Sequence, residues 1–209
     1  MPKGSPELTA SRREEIINAC EQLYQTMSFK EITLKEIGAV TSFTRTSIYN
    51  YFQTKEEIFL ALMQREYNLW TADLQKLIAD NETLSSDELA KALAYSLTRR
   101  EQLLKLLAMN HYDMEANSRL ENLTEFKISY GASLNAVRSC LDKFCSYMKD
   151  EEKTEFIFVF FPFLFGVYPY TVATEKQLTA MKQADVPFIR LSIFDIVYLC
   201  VKNLLAKYN

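Results

Sequence analysis

The chain has 209 residues, 48% of them apolar, which suffices for a sizeable core in one or two domains. Only 4 Gly and 5 Pro leave few residues for tight turns, which argues against a sandwich, a barrel or a doubly wound sheet. With 24 Lys+Arg against 27 Asp+Glu, bulk charge cannot coat nucleic acid, so any such binding needs a local surface. In chain order, residues 1–10 are polar with two prolines and read as a disordered lead with no secretory signal. From Ser11, the spacing of Ile16, Cys20, Leu23, Tyr24 and Met27 predicts a first helix to about Met27. Thr33-Leu-Lys-Glu36 is a capping-box sequence, with Leu34, Ile37 and Val40 expected as a buried stripe. Thr44 caps a third helix to about Asn50, and Thr54-Lys-Glu-Glu57 opens a long fourth one with a second capping box. Beyond it, Ser85-Ser-Asp-Glu88 starts a fifth helix and Glu101–Asn110 forms a leucine-rich sixth. Leu123, Phe126, Tyr130, Leu134, Val137, Leu141, Phe144 and Met148 then step by three or four through a long seventh. An aromatic run, Phe156–Ala173, makes the eighth helix, and Val186-Pro187 with Asp185 as cap opens the ninth, to about Tyr208. The expectation is all-α with about nine helices: a helix-turn-helix head at 11–53 and a helical bundle at 54–209.

The aromatic run reads FIFVFFPFLFGVYPYTVA and carries no charge. Its 18 residues sit at the lower limit for a bilayer span, and Pro162, Gly166 and Pro169 interrupt it. A buried core helix is the better expectation, with no membrane partner. The four cysteines, Cys20, Cys140, Cys145 and Cys200, lack Cys-x-x-Cys spacing and read as reduced core thiols of a cytoplasmic protein.

The segment with the most chemical content is Ile37–Ile58, IGAVTSFTRTSIYNYFQTKEEI. Two short helices meet across Thr41-Ser42-Phe43, which is helix-turn-helix spacing. Such a motif needs polar, groove-reaching side chains at the start of its second helix. Thr44, Arg45, Thr46 and Ser47 supply them, while Ile48 and Phe52 face the core. Tyr49, Tyr51 and Lys55 add an aromatic-basic group suited to phosphates.

This stretch resembles the DNA-binding domain of the TetR family of bacterial transcriptional regulators over about residues 10–58. The matching residues are Thr33, Ile37, Thr44, Ile48, Tyr49, Tyr51, Phe52, Lys55, Glu56 and Ile58. The ending Tyr-x-Tyr-Phe-x-x-Lys-Glu is the most specific part. The resemblance implies a homodimer on a palindromic double-stranded operator, released by a small effector held in a C-terminal effector-binding and dimerisation domain, most simply as a repressor; the aromatic density of the second half makes a lipophilic effector the expectation. By position it implies that Thr33 and Lys35 touch the DNA backbone and that Arg45, Thr46 and Asn50 reach bases. Thr44, Ser47, Tyr49, Tyr51 and Lys55 would contact mainly phosphates. The family's turn usually carries Gly where this chain has Ser42, which implies a strained residue there.

His111 is the only histidine, and no second His or suitable Cys lies near it, so neither a metal site, a cofactor nor an enzyme is expected. Aromatic density in the second half suggests an effector pocket from His111, Phe126, Tyr130, Phe163 and Tyr168. The apolar run and the closing helix are expected to pair with their copies through Phe158, Phe165, Phe194, Tyr198 and Val201. The competing class is a helical binding protein whose helix-turn-helix serves a protein partner or organises DNA without regulating a promoter.

Overall fold

A computed structural model describes residues 5–109 and 111–208, and of Arg45 the backbone. Among them every regular element is α-helical, and there are eleven rather than about nine. The helices are α1 (Pro6–Tyr24), α2 (Leu34–Ala39), α3 (Arg45–Ile48), α4 (Lys55–Asp80), α5 (Ser86–Thr98), α6 (Glu101–Leu107), α7 (His111–Ala116), α8 (Leu120–Phe144), α9 (Asp150–Thr171), α10 (Glu175–Gln183) and α11 (Ile193–Ala206). The two extra helices, α7 and α10, are short and polar, so apolar periodicity does not reveal them.

Several boundaries shift for local reasons. The first helix starts at Pro6, inside the expected lead: Ser5 Oγ accepts from the Leu8 N–H (3.3 Å), and proline suits the first helical position. Asp185 does not cap the last helix. It ends α10 with φ 53°, while the Val186 N–H donates to the Met181 carbonyl (2.9 Å) and the Asp185 N–H to the Lys182 carbonyl (3.4 Å). That is a Schellman ending with Asp where Gly is usual. The last helix begins instead at Ile193, where Ser192 and Asp195 form a capping box.

The chain divides into two compact units. The first comprises Met1–Arg65 and Asn110–Tyr130, so the expected head lies within it and α7 with the start of α8 joins it. Its core is built from Ile16, Cys20, Ile32, Ile37, Ile48, Phe52, Ile58 and Phe59, all fully buried. Tyr24 and Phe29 pack edge-on against the Phe59 ring at 5.2 and 4.9 Å. Val40, expected on this buried stripe, is 47% exposed because α2 stops at Ala39 and the chain turns away.

The second unit comprises Glu66–Met109 and Gly131–Asn209. Trp70 is fully buried; its Nε1 donates to Ser96 Oγ (2.9 Å), and its ring lies 5.8 Å from Phe161. α11 packs against α5 and α9 through Ile193, Val197, Val201 and Leu205, a stripe repeating every four residues. α9 buries Phe156, Ile157, Phe160, Phe161, Leu164 and Val167, but it is not covered on all sides as its composition suggests. Its other face exposes Phe158 (72%), Val159, Pro162, Phe165, Gly166, Pro169 and Tyr170. α9 is the one helix among the described residues long and apolar enough to cross a membrane; its Lys153 is buried and donates to Asp142 (2.7 Å). The four cysteines are free thiols, Cys20, Cys140 and Cys145 buried and Cys200 half-buried. Burial pushes the Cys20 and Cys140 thiols up to about 12.

Candidate nucleic-acid interface

The motif is held from below by apolar side chains and from the sides by hydrogen bonds. Ile48 at the end of α3 and Phe52 just after it are completely buried. They anchor a helix of only four residues, too short to persist alone. Thr41 Oγ1 lies 3.2 Å from the Gly38 carbonyl and 3.1 Å from the Phe43 carbonyl, which shapes the turn. Ser42 is not strained: among the described residues only Asp185 combines a side chain with positive φ. Glu15 of α1 accepts from both the Ser42 N–H and its hydroxyl, the latter at 3.0 Å. Carboxylate hydrogen bonds thus hold the turn where a glycine would relax it.

Around this scaffold Thr33, Lys35, Thr44, Thr46, Tyr49 and Asn50 are exposed, and Ser47 is half-buried with its hydroxyl 3.2 Å from that of Thr44. The side chain of Arg45 lies outside the described residues. Thr33 Oγ1 accepts from the Lys35 N–H (3.2 Å) and bonds Glu36, whose carboxyl is held below its ordinary range chiefly by that hydroxyl. The two remaining members of the expected group are turned inward. Tyr51 is only 6% exposed, its hydroxyl 3.5 Å from Arg12 Nη1. Lys55 Nζ donates to the carbonyls of Phe29 (2.6 Å) and Ile32 (3.0 Å) and sits 4.1 Å from the Phe29 ring centroid. Its charge therefore organises the loop before α2.

The second expected capping box is half-formed. Thr54 Oγ1 accepts from the Glu57 N–H (3.2 Å), but the Glu57 carboxylate goes elsewhere, to the Gln53 N–H and Arg119. No local pattern marks Glu15 or Arg119, because nothing nearby in the chain links them to partners 27 and 62 positions away.

The chain as a whole matches two family models. Residues 16–62 match bacterial regulatory proteins of the tetR family, and residues 64–196 match the tetracyclin repressor-like C-terminal domain. The chain belongs to the TetR family of transcriptional regulators. Its members pair a helix-turn-helix DNA-binding domain with a ligand-binding C-terminal domain and act as dimers. Both matched models describe regulators, and no enzyme family is indicated. Comparison with curated proteins yields no sequence match. Among solved structures, the chain is similar to the fatty acid degradation regulator FadR of Bacillus halodurans (18% identity, 98% of this chain and 97% of that one, TM-score 0.61). It is also similar to Thermus thermophilus FadR, a repressor in complex with lauroyl-CoA (16% identity, 92% and 93%, TM-score 0.59). A TetR-family regulator from Mesorhizobium loti shares the fold as well (15% identity, 96% and 98%, TM-score 0.63). At these identities the likeness is one of fold.

The residues expected at an effector pocket are distributed over both units of this TetR-family chain. In the first unit His111 and Tyr130 are half-buried and Phe126 is buried. In the second, Phe163 opens onto a groove of about 320 Å³ with Gly166, Val167, Tyr170, Ile189, Leu191 and Ile196. Tyr168 is half-buried, and burial, then the charge of Glu101, raises its phenol above the ordinary value. Among the described residues, no three His, Cys, Asp or Glu gather as a metal site.

Of the expected dimer residues, Phe158 and Phe165 are exposed, and Phe194 and Tyr198 are half-buried with stacked rings 5.6 Å apart. Val201 is completely buried within the protomer.

Proposed function

We propose that the protein is a ligand-responsive repressor that binds a palindromic operator as a homodimer. The observation that carries this reading is the anchored α3, with Ile48 and Phe52 locked in the core and Thr44, Thr46, Tyr49 and Asn50 exposed around it. In this reading Arg45, Thr46 and Asn50 read base edges, while Thr33, Lys35, Thr44, Ser47 and Tyr49 fix the register on phosphates. Tyr51 and Lys55 act from beneath, supporting the surface that meets DNA. The uncharged face of α9 around Phe158 and Phe165, with the Phe194–Tyr198 pair of α11, pairs with its copy. A two-fold axis there accounts for both the exposed apolar stripe and two half-sites.

The effector is small and lipophilic. Supporting this, aromatic rings crowd the second unit, where Phe156, Phe160, Phe161 and Phe163 pack together along one helix. Acyl-CoA thioesters are the first probes to use, given the lauroyl-CoA complex of the Thermus thermophilus relative. Selection from a randomised duplex pool should return a palindrome. Arg45→Ala should then cost about 1–3 kcal/mol on that duplex and relax its sequence preference. An acyl-CoA that raises thermal stability should also release the duplex. Recovery of non-palindromic, salt-labile binding alone would favour DNA organisation without promoter control.

A further inference from the structure

Glu57 is the most thoroughly buried carboxylate of the first unit, 1% exposed, in the first turn of α4. Four donors surround it. Oε1 accepts from the backbone N–H of Arg119 (3.0 Å) and its Nε (2.7 Å); Oε2 accepts from Arg119 Nη2 (2.9 Å) and the Gln53 N–H (2.7 Å). Arg119 Nη2 also donates to the carbonyl of Tyr51 (3.1 Å). Arg119 occupies the N-cap position of α8, its carbonyl taking the Leu123 N–H (3.0 Å). Next to it, Thr54 Oγ1 donates to the Asn117 carbonyl (3.0 Å).

Two of the backbone groups captured here, the Tyr51 carbonyl and the Gln53 N–H, belong to the exit of α3. Tyr51 and Phe52 donate their N–H groups to Ile48, at 2.8 and 2.9 Å, so a fixed Tyr51 carbonyl fixes the C-terminal end of the recognition helix. A four-residue helix has little rigidity of its own. Beside the buried Ile48 and Phe52, two contacts hold its ends: Glu15–Ser42 before it and the Arg119–Glu57 pair after it. Burial raises the Glu57 carboxyl, but the bonds from Arg119 and Gln53 outweigh it and leave the group below its ordinary range, and thus charged.

We infer that Arg119, from the middle of the chain, is a positioning residue for DNA binding: with Glu57 it clamps the exit of the recognition helix and presents that helix in its binding orientation without touching DNA. The inference rests on the reading of α3 as the DNA-contacting helix. It also gives movement of the α8 N-terminus a route to the head, since the arginine that caps α8 holds Tyr51.

The test uses the full chain and a 30-bp duplex, about three helical turns, selected by the wild-type protein from a randomised pool. Active fraction and Tm are measured alongside affinity. Arg119→Ala strands a buried carboxylate and can unfold the head. The paired variant Glu57→Gln, Arg119→Gln removes both charges together and is the decisive one. Its affinity for the duplex should fall about tenfold, inside the range that coupled pairs span. Because no phosphate contact is lost, its salt slope should stay as in wild type. Arg119→Lys, which keeps the charge but not the fork, should recover affinity only in part. A paired variant that folds and binds the duplex with wild-type affinity would overturn the inference and leave the reading of α3 intact. A reduced salt slope would overturn it too, by making Arg119 a phosphate contact. If the wild-type chain selects no duplex, the reading of α3 falls and the inference with it.

Discussion

Lys55 shows how geometry bears on the role of one side chain. By sequence it belongs to a phosphate-binding group, yet its ammonium bonds two carbonyls and faces the Phe29 ring. Lys55→Met should therefore cost about 1–3 kcal/mol of stability through two lost charge-assisted bonds. Urea unfolding of the variant would show the loss. Its salt slope on the selected duplex should match wild type; a slope smaller by about 1 would return Lys55 to the phosphates. Ser42 makes the complementary point. A family habit of glycine implied strain there, whereas the backbone is ordinary and Glu15 holds the turn. Positive φ occurs instead at Asp185, where the sequence suggested a cap. Asp185→Gly should stabilise the chain by up to about 1 kcal/mol, since glycine adopts the left-handed region without a Cβ penalty. A fall in Tm would show that the Asp side chain contributes more than its backbone costs.

At the scale of elements, helix ends carry most of the specificity. Ser85 with Glu88 and Ser192 with Asp195 form reciprocal boxes, and Thr174 with Gln177 does the same for α10. Thr54 with Glu57 has the same spacing but yields its carboxylate to Arg119, which trades a local cap for a long-range tie. This exchange has a pH signature. The folded carboxyl titrates below its ordinary value of 4.5, so its stabilisation is complete above that pH and is lost as pH falls through the depressed folded value. The stability gap between wild type and the Glu57→Gln, Arg119→Gln pair should narrow as pH is taken from above 4.5 to below it. Urea midpoints across that interval measure it; a constant gap would mean that Glu57 is not charged in the folded chain.

For the whole molecule, the bare face of α9 is the surface that matters. Phe158 and Tyr170 are each 72% exposed on an uncharged face, an arrangement that a monomer rarely tolerates. In a family of dimers, that face is the proposed seat of the partner. Phe158→Asp should cost about 2 kcal/mol or more of association and leave the protomer folded. Sedimentation should then show monomer at concentrations where wild type is a dimer, with helical content unchanged. Val201→Asp provides the contrast, because its side chain lies in the protomer core and its charge should unfold the chain. Equal dimerisation of Phe158→Asp and wild type would move the interface off this face.

The sequence by itself determined the helical class, the helix-turn-helix and the buried pair Ile48 and Phe52. Apolar periodicity and caps act over three or four residues, and both partners of each interaction stand side by side in the chain. It also determined the kinship of the head, since a motif is a local object. Only the tertiary structure decided that Glu15 holds the turn, that Lys55 faces inward and that Arg119 reaches Glu57 across 62 positions. Only it decided, too, which side of the aromatic α9 is covered, because composition cannot say which face of a helix its neighbours take. Burial and long-range charge pairing depend on the meeting of segments distant in the chain, and no spacing rule within one segment records that meeting.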